Sequence, residues 1–85
     1  MFRLKEIPNH VLILIKLEKL GKAKPQDLIG EDLKSPGAIY STLTRLLVIN
    51  YVEKEGEFYK LTQKGIEYLN RVKTLYKEII ERIEG

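Results

Sequence analysis

The stretch that decides the fold is residues 35–61, SPGAIYSTLTRLLVINYVEKEGEFYKL. Its Ser-Pro start predicts a helix, because the hydroxyl can accept from the unpaired amides of a first turn and proline there needs no amide partner. This helix is predicted over residues 36–49, and it ends at Asn50 because asparagine tolerates the left-handed conformation. Its predicted buried stripe is Ile39, Leu43, Leu46 and Leu47.

Two β-prone stretches follow this helix, at residues 51–54 and 57–61, with Glu55-Gly56 between them. This pattern predicts a hairpin with the turn at Glu55-Gly56. A loop of two or four residues would place Val52, Tyr59 and Leu61 on its inward face.

Upstream, apolar periodicity predicts a first helix from about Asn9 that ends at Gly21. Its apolar residues lie on two sides, so we expect the helix to be buried on both. Residues 22–24 are predicted to be extended, with a possible minor strand, because Pro25 disfavours helix at the residue before it. A second helix is predicted over residues 25–33, since proline suits a first helical position.

Downstream, Thr62 is predicted to cap a last helix whose apolar residues step by three and four. An 85-residue chain has a thin core, so this stripe and a second one on the first helix are predicted to form a homodimer interface. The predicted interface residues are Leu69, Val72, Tyr76, Ile79 and Ile83 of the last helix and Val11, Leu12 and Ile15 of the first.

The predicted order of helix, helix, helix, hairpin and long helix is that of a winged helix-turn-helix. The predicted fold class is therefore mainly α with a small β-hairpin wing, followed by a long C-terminal dimerisation helix. Residues 1–65 would form the winged-helix DNA-binding part and residues 66–85 the dimerisation helix of the same compact domain.

Two strings carry a family resemblance: Ser35-Pro36-Gly37-Ala38-Ile39-Tyr40, continuing through Leu43 and Arg45-Leu46, and Tyr59-Lys60-Leu61-Thr62-Gln63-Lys64-Gly65. Together they resemble the PadR family of transcriptional regulators, over roughly residues 34–70. The resemblance implies a dimeric DNA-binding regulator, often a repressor that responds to a small molecule. The family's Gly-Tyr pair at the second helix is absent, and MarR-type winged helices share parts of the pattern, so the subfamily stays open.

Independently of the family, a helix of 3.6 residues per turn places a small polar arc opposite Ile39 and Leu43. The arc consists of Ala38, Ser41, Thr42 and Arg45. Arg45 on this arc has the geometry to bind guanine through two hydrogen bonds or to hold a phosphate. Ser35 either donates a hydrogen bond to a phosphate or only caps the helix. Tyr40 either packs on the core or contacts the DNA backbone. The lysines either bind phosphates or form an ordinary solvated surface. The predicted DNA-binding residues are Lys34, Ser35, Ala38, Tyr40, Ser41, Thr42, Arg45, Lys60 and Lys64.

The wing is acidic, with Glu53, Glu55 and Glu57, so its tip is not expected to enter a groove of DNA, where phosphates would repel it. The net charge of +3 lies entirely in the first 52 residues. A two-fold symmetric dimer predicts a palindromic operator in double-stranded DNA, with half-sites about one helical turn, roughly 34 Å, apart.

Composition argues against several other classes of protein. The chain has no cysteine and one histidine, His10, and it has no phosphate loop, metal-ligand spacing or nucleophile motif. We therefore expect neither an enzyme nor a cofactor or metal. The apolar run of residues 11–15 is too short for a signal peptide or a membrane span, which favours a cytoplasmic protein.

Two other functions fit the same fold. A winged helix can act as a protein–protein interaction module, which the acidic wing would suit, or as an architectural DNA-binding protein, which usually needs a more basic surface. Arg45 with small polar neighbours favours DNA, because a protein-binding face more often carries exposed aromatic residues.

Overall fold

The structure, a computed structural model, describes residues 7–30, 33–77 and 81. This part of the chain is mainly helical, with a small three-stranded antiparallel sheet. The element order is compatible with a winged-helix arrangement. The elements are α1 (Asn9–Leu20), β1 (Lys22–Ala23), a short 3₁₀ helix (Pro25–Leu28), α2 (Pro36–Val48), β2 (Val52–Glu55), β3 (Phe58–Leu61) and α3 (Gln63–Leu75).

Helix α1 forms the centre of the core and packs against α2, α3 and the sheet. Its burial on two faces was predicted and is confirmed, since residues 11–15 and Leu17 are all buried. Val11, Leu12 and Ile15 each expose only 1% of their surface in the single chain. Their assignment to a dimer interface is therefore corrected: α2, α3 and the sheet of the same chain already cover both sides of α1.

Gly21 ends α1 with a φ of 83°, and its amide donates to the carbonyl of Leu17 at 2.8 Å. The chain then extends into β1, which pairs with β3 and completes a sheet of order β1-β3-β2. The predicted minor strand is confirmed.

The predicted second helix is shorter than expected, because among the described residues of 25–33 only Pro25–Leu28 is helical, as a 3₁₀ turn. Ile29 is already extended, with a ψ of 133°. Gly30 and Leu33 then exchange backbone hydrogen bonds of 3.0 and 3.2 Å. This local turn uses the amides and carbonyls that a longer helix would need.

Helix α2 and the hairpin follow the predictions closely. The Ser35 hydroxyl accepts from the amide of Ala38 at 3.3 Å, and Asn50 has a φ of 64°. In the hairpin, Glu55 pairs with Phe58, so the turn residues are Gly56 and Glu57, one position later than predicted. The inward face carries Val52, Lys54, Tyr59 and Leu61.

Thr62 joins the start of α3 to the end of α2. Its hydroxyl accepts from the amide of Gly65 at 3.0 Å and donates to the carbonyl of Asn50 at 2.6 Å. Gly65 lies so close to Tyr51 that an added Cβ would be 2.0 Å from its carbonyl oxygen. A glycine is therefore required where α3 crosses this connection.

The long C-terminal helix is not confirmed, because α3 ends at Leu75 with Tyr76 as its C-cap. Leu69 and Val72 of the predicted dimer stripe are buried in the single chain, and Tyr76 is half-buried. Within the described part of this stripe, packing on the core leaves little surface free for a partner. Ile79 and Ile83 lie outside the described residues.

No helix within residues 7–30 and 33–77 is long and apolar enough to cross a membrane. In the same part of the chain, no cluster of three or more histidine, aspartate or glutamate side chains is placed to hold a metal ion.

Candidate nucleic-acid interface

One face of α2 is open to solvent along its whole length, from Gly37 to Val48. The predicted site residues Tyr40, Ser41 and Arg45 are all exposed there. Thr44 is also exposed, and its hydroxyl donates to the carbonyl of Tyr40 at 2.9 Å. This face combines small side chains with one tyrosine and one arginine.

Ala38 and Thr42 were placed on the same arc from the sequence, but both are half-buried. The Thr42 hydroxyl donates to the carbonyl of Ala38 at 2.8 Å, which directs it along the helix. Leu46 is buried together with Ile39 and Leu43. Ala38 and Thr42 lie on the Leu46 side of the helix surface, at the edge of this buried stripe, and they are therefore half-buried.

Sequence reasoning missed Gly37, Thr44 and Val48, which lie on the exposed face of α2. At 3.6 residues per turn these three positions lie on the side of α2 opposite Ile39 and Leu43, so helical periodicity alone could have selected them.

This face lies in a stretch without carboxylates, since residues 33–52 contain no aspartate or glutamate. Arg45, in the middle of the face, makes no ion pair with any described residue. Lys34 and Ser35, both exposed, lie at the N-terminal end of α2, where the unpaired amides favour an anion.

The acidic side chains of the hairpin are neutralised by lysines of this chain. Lys60 Nζ lies 2.9 Å from Glu55 and 3.5 Å from Glu53, and Lys24 Nζ lies 3.4 Å from Glu57. The hydrogen bond from Lys60 lowers the pKa of Glu55, and the same contact raises the pKa of Lys60. Lys60, predicted as a phosphate ligand, therefore already has two carboxylate partners.

A groove of about 290 Å³ separates the inward face of the hairpin from the start of α2. Helix α2 contributes Tyr40 to its lining, and the hairpin contributes Lys54 and Tyr59. Lys54 Nζ lies 5.7 Å from the centre of the Tyr59 ring and makes no ion pair within the described chain. Lys54 is a basic residue of this surface that was not among the predicted sites. The groove is lined by Lys24, Pro25, Gln26, Tyr40, Lys54, Glu57 and Tyr59.

A second, more apolar groove of about 650 Å³ lies between the start of α1 and the C-terminal half of α2. Val48 and Ile49 at its edge are 80% and 45% exposed. Arg45 belongs to this groove as well as to the open face of α2.

An aromatic cluster links the starts of α1 and α3. The Tyr51 and Tyr68 rings stack with centres 4.6 Å apart, and His10 Nε2 lies 2.9 Å from the Tyr68 hydroxyl. Lys64, a predicted phosphate ligand, places its Nζ 5.5 Å from the centre of the Tyr51 ring. Lys64 therefore lies over the ring of Tyr51, just beyond the C-terminal end of α2. Arg45 lies within α2 itself.

We expect the His10→Gln variant to lose a pH dependence of stability that the parent has. Burial lowers the pKa of His10 below its ordinary value of 6.5. Because the unfolded chain then binds a proton more readily, the parent should have full stability above about pH 6.5 and lose stability as the pH falls below it. The measurement is the thermal unfolding of both proteins at several pH values between about 7.5 and 5.5. Parallel loss of stability in both proteins would contradict this role.

Comparisons with known proteins found no matching family model and no similar curated sequence.

Proposed function

We propose that the protein is a winged helix-turn-helix transcriptional regulator, a repressor, that binds specific double-stranded DNA in the cytoplasm as a homodimer. The proposed role is binding, without catalysis or a cofactor. The observation that carries the proposal is the open face of α2, where Arg45 stands among small side chains in a stretch free of carboxylates.

The dimensions of this face support a helix in the major groove. Gly37, Ser41 and Thr44 let the backbone of α2 come close to the base edges, because none has a long side chain. Arg45 has the reach and the planar fork to bind the O6 and N7 atoms of guanine. Because no carboxylate lies within residues 33–52, the phosphates on either side of the groove meet no like charge from α2.

Replacing Arg45 with alanine should weaken binding to the preferred duplex by about 1–3 kcal/mol per half-site and relax the preference at one base position. The matched control is Arg71→Ala, which removes an exposed arginine from α3. The preferred duplex comes from selection with a random pool, and fluorescence anisotropy then compares it with a scrambled duplex for both variants. A folded Arg45→Ala variant with unchanged discrimination would reject α2 as the reading helix.

The homodimer is proposed through the C-terminal end of α3, where Leu75 is 80% exposed. Leu69 and Val72 of the predicted stripe are covered by the chain itself, which leaves Leu75 as the exposed apolar position of α3 to test. We expect Leu75→Lys to dissociate the dimer without unfolding the protein, because the side chain contributes little to the core. Light scattering at micromolar concentration measures the mass.

Val48→Lys is the matched control for this test, since Val48 is also 80% exposed but lies on α2. It should keep the mass of a dimer. A parent protein that is monomeric over the same concentrations would remove the dimer from the proposal.

A protein-interaction module is the second candidate function, and the apolar groove beside Val48 and Ile49 favours it. Exposed aliphatic side chains at the edge of a groove are typical of protein contacts. The titrations separate the candidates: binding that depends on base sequence supports the regulator, and tight binding without sequence preference supports an architectural protein. Absence of duplex binding supports the interaction module.

A further inference from the structure

The groove between the hairpin and α2 has more hydrogen-bond donors than the chain itself uses. Among the described residues, the Tyr40 hydroxyl makes no hydrogen bond and Lys54 makes no ion pair. Lys54 Nζ lies above the ring of Tyr59. This contact keeps the ammonium group of Lys54 on the inward face of the hairpin, away from the acidic outer face. Two donors, one from α2 and one from the hairpin, thus line the same groove.

The charges of this groove favour an anion. Its lining contains two lysines and a single carboxylate, Glu57. That carboxylate is paired with Lys24, so the charge of Lys54 is left without a counterpart in the groove. An anion with several oxygens can accept from the ammonium group and from the phenol at once, and such charge-assisted hydrogen bonds are the stronger kind.

We propose that this groove binds one backbone phosphate of the duplex through Lys54 and Tyr40, and that Glu57 holds the place of a second phosphate on Lys24 in the free protein. The inference rests on the proposed function and adds to it the point at which the hairpin contacts DNA. Tyr40 directly precedes Ser41 of the open face of α2, so the phosphate belongs to the same duplex that Arg45 reads.

The pair of Lys24 and Glu57 suits exchange for a phosphate. Its N–O distance is 3.4 Å, and the Glu57 side chain is 81% exposed. Exposed ion pairs contribute little to stability, because water and salt screen them and long side chains lose freedom in forming them. A phosphate that approaches Lys24 therefore competes with a weakly held carboxylate.

Two matched pairs of variants test the inference by anisotropy titration of the selected and the scrambled duplex at several salt concentrations. Lys54→Gln is compared with Lys60→Gln, which removes a lysine already paired with two carboxylates. Glu57→Gln is compared with Glu55→Gln, which removes a wing carboxylate that is paired with Lys60 on the outer face. Thermal unfolding checks that all four variants are folded.

Lys54→Gln should weaken both duplexes equally and reduce the slope of log K against log salt by about 0.9 per protomer. The deficit relative to the parent should therefore shrink about three- to fourfold for each protomer that contacts the duplex, or about twelvefold for a dimer bound through both protomers, between about 50 and 200 mM salt. Glu57→Gln should strengthen both duplexes and steepen the slope. Lys60→Gln should change the affinity for DNA less than Lys54→Gln does. Glu55→Gln should change it less than Glu57→Gln does.

The outcomes separate this inference from the proposed function. A parent that binds no duplex overturns the proposed function, and the inference with it. A parent that binds while Lys54→Gln and Lys60→Gln behave alike overturns the phosphate site alone. Equal effects of Glu57→Gln and Glu55→Gln overturn the role of Glu57 as the occupant of the site.

Discussion

Replacing Gly65 with alanine is expected to lower the free energy of unfolding by about 3 kcal/mol, the upper part of the usual range for overpacking. The added Cβ would lie 2.0 Å from the Tyr51 carbonyl oxygen and 2.9 Å from its carbonyl carbon. Both atoms belong to the backbone, so no side chain can rotate away and α3 must move as a unit. That movement would also strain the hydrogen bond from the Thr62 amide to the same carbonyl, now 3.1 Å long.

Gly37→Ala is the matched control, because Gly37 also lies in the first turn of a helix. A Cβ at Gly37 would meet only the Ser35 hydroxyl oxygen, at 3.8 Å, which is an ordinary contact. This variant should be stabilised by about 0.4–1 kcal/mol, since alanine restricts the unfolded chain more than glycine does. Urea unfolding monitored by circular dichroism measures both. Equal effects of the two substitutions would show that the close approach of α3 to Tyr51 does not constrain the fold.

Leu12→Ala is expected to lower the free energy of unfolding by about 2–5 kcal/mol, the range for a leucine removed from a core. Leu12 is 1% exposed within the single chain, so the substitution leaves a cavity beneath α1. Because the contacts are within one chain, the loss should be the same at every protein concentration. An interface residue would instead produce a loss that depends on concentration through dissociation.

Thermal and urea unfolding at several protein concentrations distinguish these two roles of Leu12. Val48→Ala is the control, because this valine is 80% exposed, lies outside the proposed dimer contact and leaves no cavity when truncated. The contrary result is that Leu12→Ala leaves the unfolding of the monomer almost unchanged and lowers the apparent mass in light scattering. That result would assign the first helix to the dimer interface.

The sequence by itself determined where α1 and α2 end and where α2 and α3 begin. Ser35 before proline, Gly21, Asn50 and Thr62 mark helix ends through their own hydrogen bonding or backbone preferences, and each lies at the predicted end. The inward face of the hairpin also follows from alternation along the strands. Such signals act within a few residues, so they can be read without knowing the fold.

Only the tertiary structure decided what each apolar or charged face touches. The sequence pattern of α1 indicates a second apolar face that must be covered, formed by Val11, Leu12 and Ile15. The pattern is the same whether another chain or the rest of this chain covers that face. Burial within the chain answers this, since α1 is packed on both sides.

The same limit applies to charge at the candidate interface. Lys60 and Lys54 are equivalent in the sequence, as lysines of one hairpin, but strand register places Lys60 beside Glu53 and Lys54 beside Tyr59. One lysine is therefore neutralised on the outer face, and the other keeps its charge beside α2. Composition gives only the number of charged residues. Strand pairing brings together residues that are separated in the chain, so it decides which partner each charge has.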